Sequence, residues 1–500
     1  MSSPLQETYH FVHLAAASFK RTGGSGQTMN DRVMHAYFAS PVFLQNVAIS
    51  IYGAGIRRLR YGRLHDRTLV ELSESQYHSR EEIRRHQLDR LNQAISHARL
   101  SVPLYRERLG EPGALRGFED LRMLPTTSKN DLRAPREQVV ATPWQTRRLT
   151  TLHTSGTTGS PLTVYCDRAT LQRNFAFLSR FRSWLGVAPL ERTATLAGRT
   201  LVPPDQAAPP FWRRSYATNQ LLLSSYHIGR ETATAYLEAL AEFRPAVIDS
   251  YPSSLLPLAV RARETGFSLP SLRGVITSSE TLGDGTRSII ETAFGCRVHD
   301  HYGATEMGAF IAQCQEGNYH ANPEFGFVEI LDGDRWALPG ESGRLVVTGF
   351  INPVMPLIRY ETGDLAVMGS NDCRCGRHFP VIERIEGRSD DVVITPDGRR
   401  IGRLDPIFKG VSSILESRIV QDAPDHLRVD LVPSPQLTER EVEVLREELS
   451  RRVGPTMKID VVRVERLPRE PSGKLRAVVR ELDGGGESNQ RGDPAGSDPE

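Results

Sequence analysis

The sequence predicts an α/β fold: a large N-terminal domain with mainly parallel sheets plus an antiparallel subdomain, and a small mobile α+β domain at the C-terminus. Three observations lead there. Between about 165 and 310, helical patterns alternate with short apolar runs; after 320 the texture changes to short strands and turns; from 428 a strand, a helix and a further strand follow in close order. A crossover between parallel strands needs an intervening helix, so βα alternation reads as a parallel sheet covered by helices.

The elements follow in chain order. Residues 1–79 read as an N-terminal helical extension in which Met29 and Met34 offer alternative starts. Leu88, Leu91, Ile95 and Leu100 recur at helical spacing over 80–110. "LRMLPTTSKNDLR" (121–133) is a turn leading into a helix start, because Pro125 and the Thr/Ser/Asn cluster interrupt any regular pattern. Next come the helix "ATAYLEALAEF" (233–243) and the strand end "AVIDSYP" (246–252). The helix 253–266, the strand end 272–280, the helix 283–295 and the strand end 297–303 continue the alternation. Domain bounds are expected at 80–387 for the large domain and 388–483 for the small one, with a disordered Gly/Ser/Pro/acid-rich tail over 484–500.

Composition excludes several classes. Net charge is +2, which argues against broad nucleic-acid binding. The basic run Arg57, Arg58, Arg60, Arg63 reads as a solvated helix face. The most apolar stretch, 38–56, is interrupted by Pro41, Gln45 and Asn46, so no membrane span is expected. No secretory signal is read, and the five cysteines are too few and odd in number for a disulfide framework. A reducing, cytoplasmic setting is expected, for a monomer or homodimer. Only five of 62 basic residues are lysines: Lys20, Lys129, Lys409, Lys458 and Lys474. A lysine kept in such a background invites a reason why arginine would not serve.

Several stretches carry chemistry. In "HTSGTTGSPLTVY" (153–165), Gly156 and Gly159 allow close backbone approach, while Thr154, Ser155, Thr157 and Thr158 offer hydroxyls and N–H groups to an anion. A solvated hairpin turn is the alternative. The loop has no Walker lysine, so further positive charge must come from elsewhere. In "DHYGATEMG" (300–308), Tyr302 suits stacking on a heterocycle, Thr305 a phosphate oxygen, and Glu306 a Mg²⁺ ion; a turn plus helix N-cap is the plainer reading. In "RYETGDLAVM" (359–368), Asp364 suits a ribose diol, or the stretch is a surface turn at Gly363. "EGRSDDVVI" (386–394) supplies Arg388 and two carboxylates between domains, and "PREPSGKLR" (468–476) sets Lys474 in a Gly/Ser/Pro loop.

With these motifs in this order, the chain resembles the adenylate-forming superfamily, and within it the phenylacetate–CoA ligase and CapK-like branch, over roughly residues 80–483. The resemblance implies an ATP-dependent, AMP-forming activation of a carboxylic acid. It implies that Thr154, Ser155, Gly156, Thr157, Thr158 and Gly159 close over phosphates. Ser279 and Glu280 would border the adenine, on which Tyr302 stacks beside Gly303. Thr305 and Glu306 would hold phosphate and Mg²⁺, and Asp364 and Arg388 the ribose. Asp390 would be the hinge, and Lys474 the cation that bridges carboxylate and α-phosphate.

The implied acceptor is the thiol of coenzyme A, with a carrier-protein thiol or an amine as alternatives, because the turn Pro396–Asp397–Gly398 departs from the ligase pattern. A non-catalytic nucleotide-binding scaffold is the reading from another class. Tyr226, His227, Tyr251 and Ser253 are placed where an acyl pocket could form, though such residues also serve as core. Cys-x-Cys is tighter than usual zinc spacing. Chains of this branch nevertheless resemble the present one at both "CQEGNYH" and "CRC", which together imply a Cys₃His structural zinc set of Cys314, His320, Cys373 and Cys375. His378 is the alternative fourth ligand, and ordinary turn residues with reduced thiols are the alternative to a site.

Overall fold

The computed structural model describes residues 29–110, 113–154, 162–197, 199, 201–203, 206–370, 373–388, 393–396, 400–401, 413–434, 436–454, 456–469 and 475–481. The chain divides into two compact units, Met1–Asp390 with Pro468–Leu475, and Asp391–Leu467 with Arg476–Glu500. The stretch 468–475 therefore groups with the large unit, although it was expected within the small domain. Ser155–Gly159, Asp390, Lys474 and the tail from 484 lie outside the described residues.

In the large unit, β1 (Thr150–His153) and β2 (Thr163–Cys166) form an antiparallel hairpin. The main sheet begins with β3 (Thr193–Ala197), β4 (Trp212–Ser215), β5 (Gln220–Ser224), β6 (Val247–Ser250), β7 (Gly274–Ser278) and β8 (Val298–Gly303). It continues through β9 (Phe310–Gln313), β10 (Tyr319–Ala321), β11 (Gly326–Asp332), β12 (Arg335–Trp336), β13 (Ser342–Gly349), β14 (Tyr360–Met368) and β15 (Val381–Arg388). Among the described residues these thirteen strands make one sheet, ordered β12-β11-β13-β14-β15-β10-β9-β8-β7-β6-β3-β5-β4. Strands β5, β3, β6, β7 and β8 run parallel; the other pairings are antiparallel. The antiparallel half is thus joined edge to edge with the parallel half through β8 and β9. A short connection after Gly303 turns the chain back on itself.

The helices of the alternating region obey their periodicity. Ala233–Phe243 buries Tyr236, Leu237, Leu240 and Phe243, and ends where Arg244 takes a left-handed conformation. Pro252–Thr265 starts with proline in its first turn, where the missing N–H costs no helical hydrogen bond. Arg80–Ser101 is closed by a Ser79–Glu82 capping box and buries Ile83, Gln87, Leu91, Ile95 and Ala98. Leu100, read on the same stripe, is 62% exposed. Five residues beyond Ile95 is about 140° off that stripe at 100° per residue, and Ala98 and Val102 occupy the stripe instead.

The small unit carries a hairpin of β16 (Val393–Ile394) and β17 (Arg400–Ile401). It also carries a sheet of β18 (Ile414–Ala423), β19 (His426–Pro433), β20 (Lys458–Arg463) and β21 (Val478–Arg480), in the order β20-β19-β18-β21. The helix Glu439–Val453, started by a Thr438–Glu441 capping box, sets Leu445, Leu449 and Val453 against Leu427, Val429 and Leu431. No described helix is long and apolar enough to cross a membrane.

Candidate active site

Open α/β sheets bind ligands beyond the carboxyl ends of their parallel strands. Here β8 ends in Tyr302 and Gly303, and a cavity of about 320 Å³ opens beside it. Its wall comprises Tyr302 of β8, Ala304 and Glu306 just after it, Tyr360–Asp364 from β14, and Ser128, Lys129, Asn130 and Arg133 from the turn after Thr127. Tyr302 donates its hydroxyl proton to Asp364 Oδ2 at 2.6 Å. Burial, and then the Asp364 charge, hold the Tyr302 phenol well above its ordinary pKa, so it keeps that proton. Tyr360 donates to Glu306 Oε1 at 3.1 Å. The structure thus brings together Tyr302, Glu306 and Asp364, which lie up to 62 positions apart in sequence.

The first residues of β14 are held from beneath. Arg359, at φ 44°, is buried and makes a two-pronged pair with Glu329, Nε to Oε2 and Nη2 to Oε1, each 3.0 Å. On the other side, Thr127 N donates to Arg359 O and Glu361 N to Thr127 O, both at 2.9 Å. Asp131 Oδ2 accepts from Ser128 N and Ser128 Oγ at 2.8 Å, and its Oδ1 from Arg108 at 2.9 Å. This clamp fixes the turn that carries Lys129 into the cavity wall. Lys129 was not among the expected site residues. Its signal was present in the sequence, as one of five lysines in an arginine-rich chain.

The remaining expected residues fall as follows. Thr154 sits at the neck of the Gly/Ser/Thr loop: Thr154 N donates to Leu162 O at 3.0 Å, and Leu162 N donates to Thr154 Oγ1 at 2.9 Å. Ser279 follows β7 in a left-handed conformation, φ 71°. Glu280 accepts from Ser253 N at 3.1 Å, Ser253 Oγ at 2.9 Å and Leu475 N at 2.9 Å, the last from the 468–475 stretch of the same unit. Burial outweighs these bonds and raises its carboxyl pKa. Ser253 was expected near an acyl pocket; its hydrogen-bonding groups are turned to Glu280. Thr305 borders Glu306 on the turn after β8, and Arg388 pairs with Asp364 in the register of β15 against β14.

Tyr226, His227 and Tyr251 do not line this cavity. His227 uses both ring nitrogens inside the fold, Nδ1 with Ser224 Oγ at 2.8 Å and Nε2 with Pro203 O at 3.1 Å, and stacks on Phe211. Tyr226 is 41% exposed.

A second polar cluster lies at the far end of β15. One ligand atom from each of Cys314, His320, Cys373 and Cys375 falls within 4.8 Å of all the others. Cys314 Sγ and Cys373 Sγ are 3.6 Å apart, and Cys375 Sγ and His320 Nε2 3.4 Å. A tetrahedron with Zn–S bonds of about 2.3 Å has edges of about 3.8 Å, so the donors stand close to zinc spacing. His320 Nδ1 faces Phe379 O at 3.3 Å, which directs the Nε2 lone pair toward the thiols. Burial lowers the His320 pKa to about 4 and raises that of Cys314 to about 12. His378 is exposed and outside the cluster.

The family model described as "AMP-binding enzyme" matches residues 85–352, just over half of the 500-residue chain. The chain belongs to the AMP-binding enzyme family. A "CapK C-terminal domain" model matches 393–481 of this AMP-binding enzyme. Protein CapK of Staphylococcus aureus is 26% identical over 464 residues, covering 90% of this chain and 99% of that one. A phenylacetate-coenzyme A ligase of Pseudomonas putida is 30% identical over 355 residues, 66% of this chain and 75% of that one. These matches put the enzyme in the phenylacetate–CoA ligase and CapK-like branch of the adenylate-forming superfamily. Its fold is shared by a crystal structure of 2-hydroxyisobutyryl-CoA ligase in the postadenylation state with R3-HIB-AMP. That likeness has a TM-score of 0.64 at 22% identity, over 82% of this chain and 91% of that one.

Proposed function

We propose that this enzyme uses ATP to convert a carboxylic acid into an acyl-adenylate with release of pyrophosphate, and then passes the acyl group to the thiol of coenzyme A. The observation that carries the reading is the cavity at the end of β8, where Tyr302, Glu306, Asp364 and Lys129 share one wall. Attack of a carboxylate on the α-phosphorus of ATP, which breaks the α–β phosphoanhydride bond, brings anions together, so catalysis is chiefly positioning and charge neutralisation. Relatives named as phenylacetate-coenzyme A ligases favour a thiol acceptor.

In this reading Asp364 accepts from the ribose hydroxyls with Arg388 beside it, and Tyr302 lays its ring on the adenine, which Ser279 and Glu280 border. Glu306 is steadied by Tyr360 and suits magnesium, a hard cation that favours one carboxylate plus phosphate oxygens. When bound, magnesium supplies charge neutralisation at the phosphates. Thr154 holds the neck of the loop Ser155–Gly159, whose N–H groups receive phosphate, and Thr305 adds a hydroxyl. Lys129 supplies one cation, Lys474 a second that meets carboxylate and α-phosphate, and Asp390 the pivot for the change between half-reactions. Cys314, His320, Cys373 and Cys375 are assigned to a structural zinc, which when bound would tie the segment before β15 to β10.

Pyrophosphate release by the purified enzyme with ATP, magnesium and a panel of aryl and aliphatic acids tests the first half. Acid-dependent release is expected. ATP binding without release for any acid would instead favour a scaffold. Coenzyme A, a carrier protein and an amine offered to the formed adenylate then test the acceptor: a thioester of coenzyme A is expected, and an amide product would overturn it.

A further inference from the structure

The helix Val42–Arg60 presents a row of large apolar side chains to solvent. A helix packed on a globular core ordinarily turns apolar residues inward and polar ones to water. Here the inward face is mixed: Ile56 is buried and Ile49 packs on Leu201, Val202 and Leu222, but the anchoring hydrogen bonds come from polar side chains. Gln45 is 3% exposed; its Oε1 accepts from Arg213 Nε, and its Nε2 donates to Ser40 O at 2.7 Å. Asn46 Oδ1 accepts from Arg214 N at 2.9 Å, and Ser50 Oγ from Tyr216 N at 3.0 Å. Gly53 completes the fit, since a Cβ there would meet Ser215 Oγ at 2.4 Å. Polar groups thus fasten the helix to β4, the edge strand of the sheet.

The outward face is apolar. Phe43 is 65% exposed, Leu44 45%, Val47 48% and Ile51 68%. These positions follow one side of the helix; the exposed Ala54 continues that line, and Arg57 and Arg58 follow it. No carboxylate occurs between Val42 and Arg60. So large a group of apolar side chains on one face marks an interaction surface.

We infer that this face seats the protein on an anionic lipid surface. Phe43, Leu44, Val47 and Ile51 enter the boundary between headgroups and acyl chains, while Arg57 and Arg58 meet lipid phosphates. Charge decides between lipid and a second copy of the chain. Two copies docked through this face would set arginines against apolar residues or against each other, with no carboxylate on the helix to pair them. The helix lies on the membrane rather than through it, because its polar side is taken by β4.

Flotation of the full-length protein with phosphatidylcholine vesicles, with and without phosphatidylglycerol, tests this surface independently of the proposed reaction. Binding to the anionic vesicles is expected to exceed binding to the neutral ones by roughly tenfold and to weaken with salt. Phe43→Glu/Ile51→Glu should abolish it. Arg57→Gln/Arg58→Gln should lower anionic binding to the neutral level. Circular dichroism melts check that these surface variants fold; if the glutamates disturb folding, Phe43→Ser/Ile51→Ser replaces them. Absent flotation of the parent protein, or flotation undiminished in the apolar variants, would overturn the inference. So would a parent dimer that the apolar variants dissociate without any vesicle binding, which would give the face to a second copy.

Discussion

The two polar clusters on the sheet are joined by one strand, β15, and differ in where their groups point. At one end Val381 pairs with His320 beside the three cysteines; at the other Arg388 pairs with Asp364 beside the cavity. The sulfur and nitrogen atoms of the first cluster face one another within 4.8 Å, which suits a closed site. In the second, carboxylates are steadied by phenols around an open volume of about 320 Å³. One arrangement satisfies its own donors and acceptors; the other leaves room for those of a substrate. The first should therefore govern stability and the second turnover.

The sharpest break between them is Lys474→Ala. Acid-dependent pyrophosphate release should fall by about 10²–10³-fold with the melting temperature unchanged; release unaffected by the change would remove Lys474 from its assigned role. At the other end, Cys373→Ser should lower folding stability by on the order of 3 kcal/mol and reduce bound zinc measured by mass spectrometry of the metal. Unchanged stability and no zinc in the parent protein would reduce the cluster to ordinary thiols.

Asp300 lies between the two regions on β8, accepting from Thr277 Oγ1 and from Tyr319 OH, each at 2.6 Å. Burial raises its pKa from 3.8 to about 6. From about pH 4 to 6 the unfolded chain gives up this proton while the folded one keeps it, so the associated stability falls as pH rises and is gone above about pH 6. Asparagine does not titrate. The stability of the parent protein relative to Asp300→Asn should therefore shrink by about 2–3 kcal/mol across that window in urea melts, and a pH-independent difference would contradict the assigned burial. The smallest effect is reserved for Lys129→Ala. About a tenfold rise in KM for ATP with little change in kcat is expected; an equal loss in kcat would give Lys129 a part in the chemical step.

What could be read in the sequence was local. The helix 233–243 and the strand ends at 250, 278 and 303 follow from periodicity and turn residues alone. The joining of β9–β15 to the parallel strands could not be read, because pairing such as β8 with β9 depends on a tight reversal and not on composition. Tyr302, Glu306 and Asp364 were legible as motif residues, yet nothing local announced Tyr360 or the clamp on Lys129. The stretch 38–56 was judged by its interrupting polar residues. Which face Gln45 and Asn46 would turn inward is decided by Arg213 and Arg214, some 168 positions away.

The clamped turn at Thr127–Asp131 has a consequence for how ATP is recognised in the proposed reading. Its backbone is ordered by Asp131, Arg359 and β14 before any ligand arrives. The conformational entropy of that turn is therefore surrendered when the chain folds, not when the nucleotide docks. A cation held this way recognises charge at rest, and its contribution to affinity is spared the ordering that a flexible loop must undergo at each encounter.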